Sequence, residues 1–257
     1  MRNTEKMKNV RLLKEAEIRN DIKSKREQFM LERARELSNK DGFQALNLPE
    51  LAKLSGYSKP TIYKYFPNKE DLMVALATES AAKQIDYFER AITFNGRPRE
   101  IIHGIYSLNT GPLKDATYDF LLIHTNNIRS QATPERQKML DHFEERRIEI
   151  IAGIVREALK NGDLMPPKRI TEYELVFTMM ATSLGGYLLQ ASDSPVTRKW
   201  FEKINFTHKA FGRTVLDGIG WHPLSSEWDY SKTIKRFYSE VFPELLSDEE
   251  QGLKDLA

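Results

Sequence analysis

The 257-residue chain carries 39 Lys and Arg against 37 Asp and Glu, five His and no Cys. That length can bury a real core in one large or two modest domains, and the missing thiols exclude disulfides, thiolate metal sites and a cysteine nucleophile. Charged residues at 30% and hydrophobic ones at 40% exclude a disordered polar chain.

The opening residues hold no apolar run of signal-peptide length, so no export is expected. Leu175 to Ser192 is free of charge for 18 positions, close to bilayer length, yet contains Thr178, Thr182, Ser183, Gly185, Gly186 and Gln190. Such polarity points to burial between helices, and no membrane partner is expected. The small net charge hides an asymmetry: residues 1–75 balance at +5 and residues 76–257 at −3. A basic first quarter is where a polyanion would dock, although a merely solvated basic surface fits the same count.

Helical periodicity runs nearly end to end, and no stretch shows the alternation of a strand. The fold class expected is all-α. Residues 1–22 read as a charged arm. A first helix is expected over 23–40, with Phe29, Met30, Ala34 and Leu37 on one face and Gly42 beyond its end. Asn47 caps a second, with Glu50 placed to return the bond and Leu51 and Leu54 facing inward. Gly56 ends it. Ser58 caps a third short helix that tolerates Pro60 in its first turn and turns Ile62 and Phe66 inward. Asn68 caps a fourth running to about Thr93, with Glu70 and Asp71 in its first turn.

Three short helices with a glycine turn between the last two describe a helix-turn-helix unit, whose final helix fits the major groove. Its outward residues are Lys59, Pro60, Thr61, Tyr63 and Lys64. The stretch LNLPELAKLSGYSKPTIYKYFPNKEDLMVALA, Leu46 to Ala77, resembles the DNA-binding signature of the TetR family of bacterial transcriptional regulators. The matching positions are Leu51 and Ala52, Gly56, Tyr63 with Phe66, Lys69 and Leu72, with Phe29, Met30, Ala34, Leu37 and Gly42 upstream. The resemblance covers roughly residues 23–80. It implies phosphate contacts at Asn47, Tyr63 and Lys69, and groove or base-edge contacts at Lys59, Pro60 and Thr61, with Tyr65 nearby. Lys23, Lys25 and Arg26 could reach DNA from the arm or simply be solvated. Two residues depart from the family pattern: Pro49 replaces a base-reading Arg of some members, and Leu48, where a hydroxyl is frequent, can offer only apolar contact.

Further helices are expected over 98–108, 112–130, 134–161, 171–191, 195–218 and 231–246. The long one from 134 turns Leu140, Phe143, Ile150, Ile151, Ile154 and Val155 inward, with Gly162 as its cap. The resemblance implies that this body binds a small-molecule effector and pairs two copies through its last long helices. Gly185–Gly186 would allow close approach of a helix, from the same chain or the partner. His124 shares a stripe with Phe120 and Ile128, either as a core histidine bonded to a backbone carbonyl or as a ligand contact. Phe120, His124 and Met180 are the candidate effector pocket; Met139, Met179 and Met180 are adaptable fillers that could line an apolar pocket, with ordinary core the better reading. The aromatic segment from Trp221 extends beyond the family's last helix and is expected to pack on the body or the partner subunit.

An α-helical enzyme is the weakest reading. Glu100 and His103 have the Glu-x-x-His spacing of di-iron bundles, but no second copy exists, and no phosphate loop or nucleophile elbow is present. No cofactor and no metal site are expected. The domains expected are an arm over 1–22, a DNA-binding domain over 23–72, an effector-binding and dimerisation domain over 73–220, and an extension over 221–257. The function implied is a cytoplasmic, nucleoid-associated homodimer that binds double-stranded operator DNA and represses transcription. A ligand in the body would shift the fourth helix and release the operator. Activation, or DNA binding without an effector, are the alternatives.

Overall fold

Apolar side chains recurring every three or four residues fold the chain into helices. A computed structural model describes residues 24–39, 46–125, 127–167, 170–190, 194–197, 199 and 212–246. Expectations for residues 1–22, Lys23, Gly42 and the end of the chain lie outside those residues, as does most of the helix expected over 195–218. The described helices are α1 (24–39), α2 (Leu48–Ser55), α3 (Lys59–Tyr65), α4 (Lys69–Ala91), α5 (Pro98–Thr110), α6 (Lys114–Thr125), α7 (Pro134–Asn161), α8 (Glu172–Gln190) and α9 (Tyr230–Val241). Among the described residues no strand forms, and a single bridge joins Leu164 to Trp221. No described helix is long and apolar enough to cross a membrane.

The chain divides into two compact units. Unit one takes the residues up to Leu76 together with Asn127–Gln137, and unit two takes Ala77–Asn126 and the residues from Lys138 onward.

In unit one, α1 buries Met30, Leu31, Ala34 and Leu37 at helical spacing, and the Arg35 guanidinium donates to Leu76 O at 2.9 Å. Helix α2 buries Leu48, Leu51 and Ala52, and α3 adds Ile62 with Phe66 just beyond its end. Two assignments change here. Leu48 is a core residue rather than an apolar contact for DNA, and Leu54 is 46% exposed rather than inward. With eight residues, α2 has room for one apolar stripe, and Leu48, Leu51 and Ala52 fill it.

A polar knot ties the 127–137 segment to α4 within the same unit. Asn68 Oδ1 caps α4 by accepting from Asp71 N at 2.6 Å, while its Nδ2 donates to Gln131 O at 3.1 Å. Buried Asp71 accepts from Thr133 N at 2.9 Å, from Thr133 Oγ1 at 2.7 Å and from Arg136 Nε at 3.3 Å. Arg136 also reaches Glu27 at 2.5 Å and lies 5.5 Å from the Phe66 ring centre. The helix expected over 112–130 is therefore two pieces. It stops at Thr125, Asn127 turns with φ 56°, and a 3-10 turn at Arg129–Gln131 leads to Pro134 and α7.

Unit two is built around α5, buried from Pro98 to Leu108. The inner face of α9 (Tyr230, Thr233, Ile234, Phe237 and Tyr238) packs against it so closely that a Cβ at Gly104 would stand 2.5 Å from the Phe237 ring. The preceding segment is tied down by Arg99, which is fully buried. It donates to Trp221 O at 2.6 Å, to Ser225 Oγ at 2.9 Å and to Asp217. Trp221, Phe237, Tyr238 and Phe242 thus belong to the core of unit two, while Trp228 is exposed. Helix α7 spans the predicted 134–161 and ends at Gly162, whose φ of 77° suits the left-handed cap.

Candidate nucleic-acid interface

The turn between α2 and α3 presents the interface. Asn47 closes the start of α2 by accepting from Glu50 N at 2.8 Å, and the Glu50 carboxylate receives Lys53 Nζ at 3.0 Å. Gly56 follows α2 with φ 71°, a backbone that L side chains rarely adopt. Nothing among the described residues crowds the place of its Cβ, so the conformation alone calls for glycine. Ser58 then caps α3. Its hydroxyl accepts from Thr61 N at 3.4 Å and shares a hydrogen bond with Thr61 Oγ1 at 2.9 Å.

With Ile62 and Phe66 anchoring α3 from beneath, Lys59, Pro60, Tyr63 and Lys64 are exposed, and Thr61 and Tyr65 are half-buried. Tyr65 leans on Phe66, ring centres 6.4 Å apart. Lys69 opens α4 half-buried, and Asn47, Lys25 and Arg26 are exposed. The short helix thus presents lysines, an aromatic hydroxyl and a threonine methyl, with no acidic residue in its seven positions. Such a surface attracts phosphate and places side chains at groove depth.

Of the three predicted effector residues, Phe120 and His124 stack with ring centres 4.1 Å apart, while Met180 stands apart from them. In unit two a pocket of about 70 Å3 is lined by Met180, along with Phe88, Ile102, Ile105, Ile151 and Met179. Phe120 lines an adjoining crevice of about 10 Å3 that shares Gln84 and Arg147 with the pocket. His124 lies towards solvent, with Nδ1 2.7 Å from Phe120 O and Nε2 3.0 Å from Glu144. The carbonyl bond matches the expectation, but the core position does not: the residue is exposed and its ring lies against Glu144. Met139, 51% exposed, is no core filler. Sequence reasoning missed the polar residues of the 70 Å3 pocket, Gln84, Tyr106, Asn109, Thr117, Arg147 and Ser183. Arg147 was findable, since it stands on the same α7 stripe as Leu140, Phe143 and Ile151.

The Glu100 and His103 pair is absorbed by the fold. Glu100 accepts from Arg97 N and Thr233 Oγ1, both at 2.9 Å, and His103 stacks on Tyr230 with ring centres 4.0 Å apart. Among the described residues no group of three or more His, Asp or Glu is arranged to hold a metal.

A three-helix unit with a glycine turn and a basic, outward recognition helix defines a helix-turn-helix DNA-binding regulator. Residues 30–76 match the profile of the family described as bacterial regulatory proteins, tetR family. The chain is 26% identical over 149 residues to the fatty acid metabolism regulator protein of Bacillus subtilis, covering 56% of this chain and 74% of that one. It is 25% identical over 165 residues to the HTH-type transcriptional repressor AcnR of Corynebacterium glutamicum, covering 63% and 79%. Its fold is shared by FadR from Bacillus subtilis in complex with stearoyl-CoA, at 19% identity and TM-score 0.53, over 75% of this chain and 98% of that one. The reduced form of E. coli NemR shares it too, at 20% identity and TM-score 0.54, over 77% and 100%. The chain is thus similar to transcriptional regulators of the TetR family, with the family's DNA-binding profile matched over residues 30–76.

Proposed function

We propose that this regulator is a homodimeric repressor, working on DNA in the cytoplasm, that leaves its operator when a small molecule binds unit two. The observation that carries the DNA half is the outward face of α3, held in place by Ile62 and Phe66 from below. Asn47, Tyr63 and Lys69 contact phosphate, while Lys59, Pro60 and Thr61, with Tyr65 beside them, meet the groove. Lys25 and Arg26 on α1 add phosphate contacts from its exposed face.

The surface of α8 supports pairing. Tyr173 is 83% exposed and Phe177 72%, and Leu188 continues their stripe at four-residue and eleven-residue spacing. Apolar side chains so exposed in a row mark a surface that a partner covers. Among the described residues nothing lies within 4 Å of the place a Cβ on Gly185 would take, which leaves room for a helix of the second copy. Two copies read two half-sites ~34 Å apart, or a multiple of that.

The effector half rests on the apolar pocket, and on a likeness to a regulator whose structure holds stearoyl-CoA. To move the protein from mostly bound to mostly released, the ligand must favour the released state by about 5.5 kcal/mol. Light scattering at micromolar concentration tests the assembly: Phe177→Glu should turn a dimeric mass into a monomeric one. A wild-type monomer would refute the pairing. Gel shifts with upstream DNA, with and without candidate ligands, test the release.

A further inference from the structure

The apolar stripe of α7 is interrupted by a cation. Leu140, Phe143, Ile151 and Ile154 occupy the stripe, and Arg147 stands among them, lining the 70 Å3 pocket. Its Nε is buried without a hydrogen-bond partner among the described residues. Nη1 reaches Gln84 Oε1 only at 3.4 Å, and the guanidinium lies 4.2 Å from the Phe120 ring centre. Burial pushes the Arg147 pKa down, against the opposing charge of Glu144, which stands 3.0 Å from His124 Nε2.

A guanidinium carries five N–H donors, and among the described residues this one makes a single long hydrogen bond while its Nε is buried with none. Holding a cation in that state is costly, and a methionine would fill the same space without the cost. Two further polar groups extend this wall: Gln84 Nε2 donates to Asn109 Oδ1 at 2.9 Å, and both side chains line the pocket. Phe88, Ile102, Ile105, Ile151 and Met179 line the same pocket. The pocket has one charged residue, a few neutral polar ones including Thr117 and Ser183, and an otherwise apolar lining.

We propose that the pocket takes an amphipathic free carboxylate, its anion held by Arg147 and its apolar body laid against Ile102, Ile105, Ile151 and Met179. The inference rests on unit two being the effector-binding unit and supplies the chemistry of the effector. A carboxylate matches the planar fork of the guanidinium and can take two parallel N–H bonds. The half-buried guanidinium carries one positive charge and already feels Glu144, so a monoanion fits better than a dianion. A thioester offers only a neutral carbonyl to the same guanidinium. About 70 Å3 is well below the roughly 300 Å3 of the smallest ordinary ligand sites, so occupancy widens the pocket. The α8 wall, with Met179, Met180, Ser183 and Leu184, is the side that can yield, since unbranched methionines repack readily.

The test is calorimetric titration of the full-length protein, without DNA, with three matched series from six to fourteen carbons: fatty carboxylates, the corresponding alcohols, and the corresponding coenzyme A thioesters. The expected result is carboxylate binding at least tenfold tighter than the alcohol of equal length, strengthening as the chain grows until the widened pocket is full. Arg147→Met should abolish that preference while leaving the circular dichroism unchanged and the thermal midpoint equal or higher. Equal affinity for acid and alcohol in the wild type overturns the proposal without recourse to any variant. So does a preference surviving Arg147→Met, a thioester that outbinds the free acid, or an absence of binding in all three series. Because DNA is absent, each of those results would leave the reading as a DNA-binding regulator standing, and only a failure of operator binding would remove that.

Discussion

Replacing Asp71 by Ala would remove the one carboxylate that holds the 127–137 segment to the start of α4. The side chain is 1% exposed and accepts from Thr133 N, Thr133 Oγ1 and Arg136 Nε. Hydrogen bonds to a buried charge contribute about 1.5–3 kcal/mol each, but their losses overlap, because half-buried Thr133 regains water and Arg136 keeps Glu27. Breaking a buried pair by removing one partner costs about 3–5 kcal/mol, and these two compensations put the expected loss at the lower end, about 3 kcal/mol. In a chain of this size that lowers the thermal midpoint by about 6–12 °C. Urea unfolding of the full-length protein measures the change, with Asp71→Asn losing less because its carbonyl still serves Thr133. A double-mutant cycle with Thr133→Val should show a coupling of about 1 kcal/mol. Asp71→Ala within about 0.5 kcal/mol of wild type, the range of an inert surface change, would refute the structural role of the knot.

Other substitutions probe separate parts of the account. Lys69→Ala should weaken binding to every DNA and reduce the salt slope by about one, whereas Thr61→Ala should change preference among sequences; anisotropy titrations over a salt series distinguish the two. Phe237→Ala empties a fully buried site against Gly104 and should cost about 3–5 kcal/mol in denaturant unfolding, and a smaller loss would mean that the C-terminal segment is not part of the core. Glu174 is held below the usual carboxylate range by the Thr171 backbone N–H first and the Thr171 hydroxyl second. Its contribution is therefore complete above the ordinary carboxylate pKa and is lost as pH falls through the lowered value. Thr171→Val should move that titration upward, as read by carbon-detected NMR, and no movement would contradict the hydroxyl's part.

The helical class and the DNA-binding unit were legible because their signals are local. Asn47, Ser58 and Asn68 each accept from a backbone N–H two or three residues into the helix that follows, and Gly56 takes a backbone that its neighbours cannot. What was not legible depends on residues distant in the chain. The break after Thr125 is set by Asp71 and Asn68, some sixty residues upstream, which capture Thr133 and Gln131. The depth of the Trp221 segment depends on Arg99, whose burial a sequence alone gives no reason to expect. His124 is exposed and lies against Glu144 on another helix, and Met139 stands on the wet side of α7 although its type suggests a core. Arg147 was visible as a cation at an apolar position, whereas the pocket it lines is assembled from residues of four other helices.

Fluorescence anisotropy against DNA from the gene's own upstream region, titrated with salt and with random competitor, tests the central claim most directly. The account predicts tight binding that survives competitor, lost uniformly with Lys69→Ala. Binding that is weak, fully salt-sensitive and displaced by random DNA from every upstream fragment would contradict it and reduce the outward face of α3 to a basic surface.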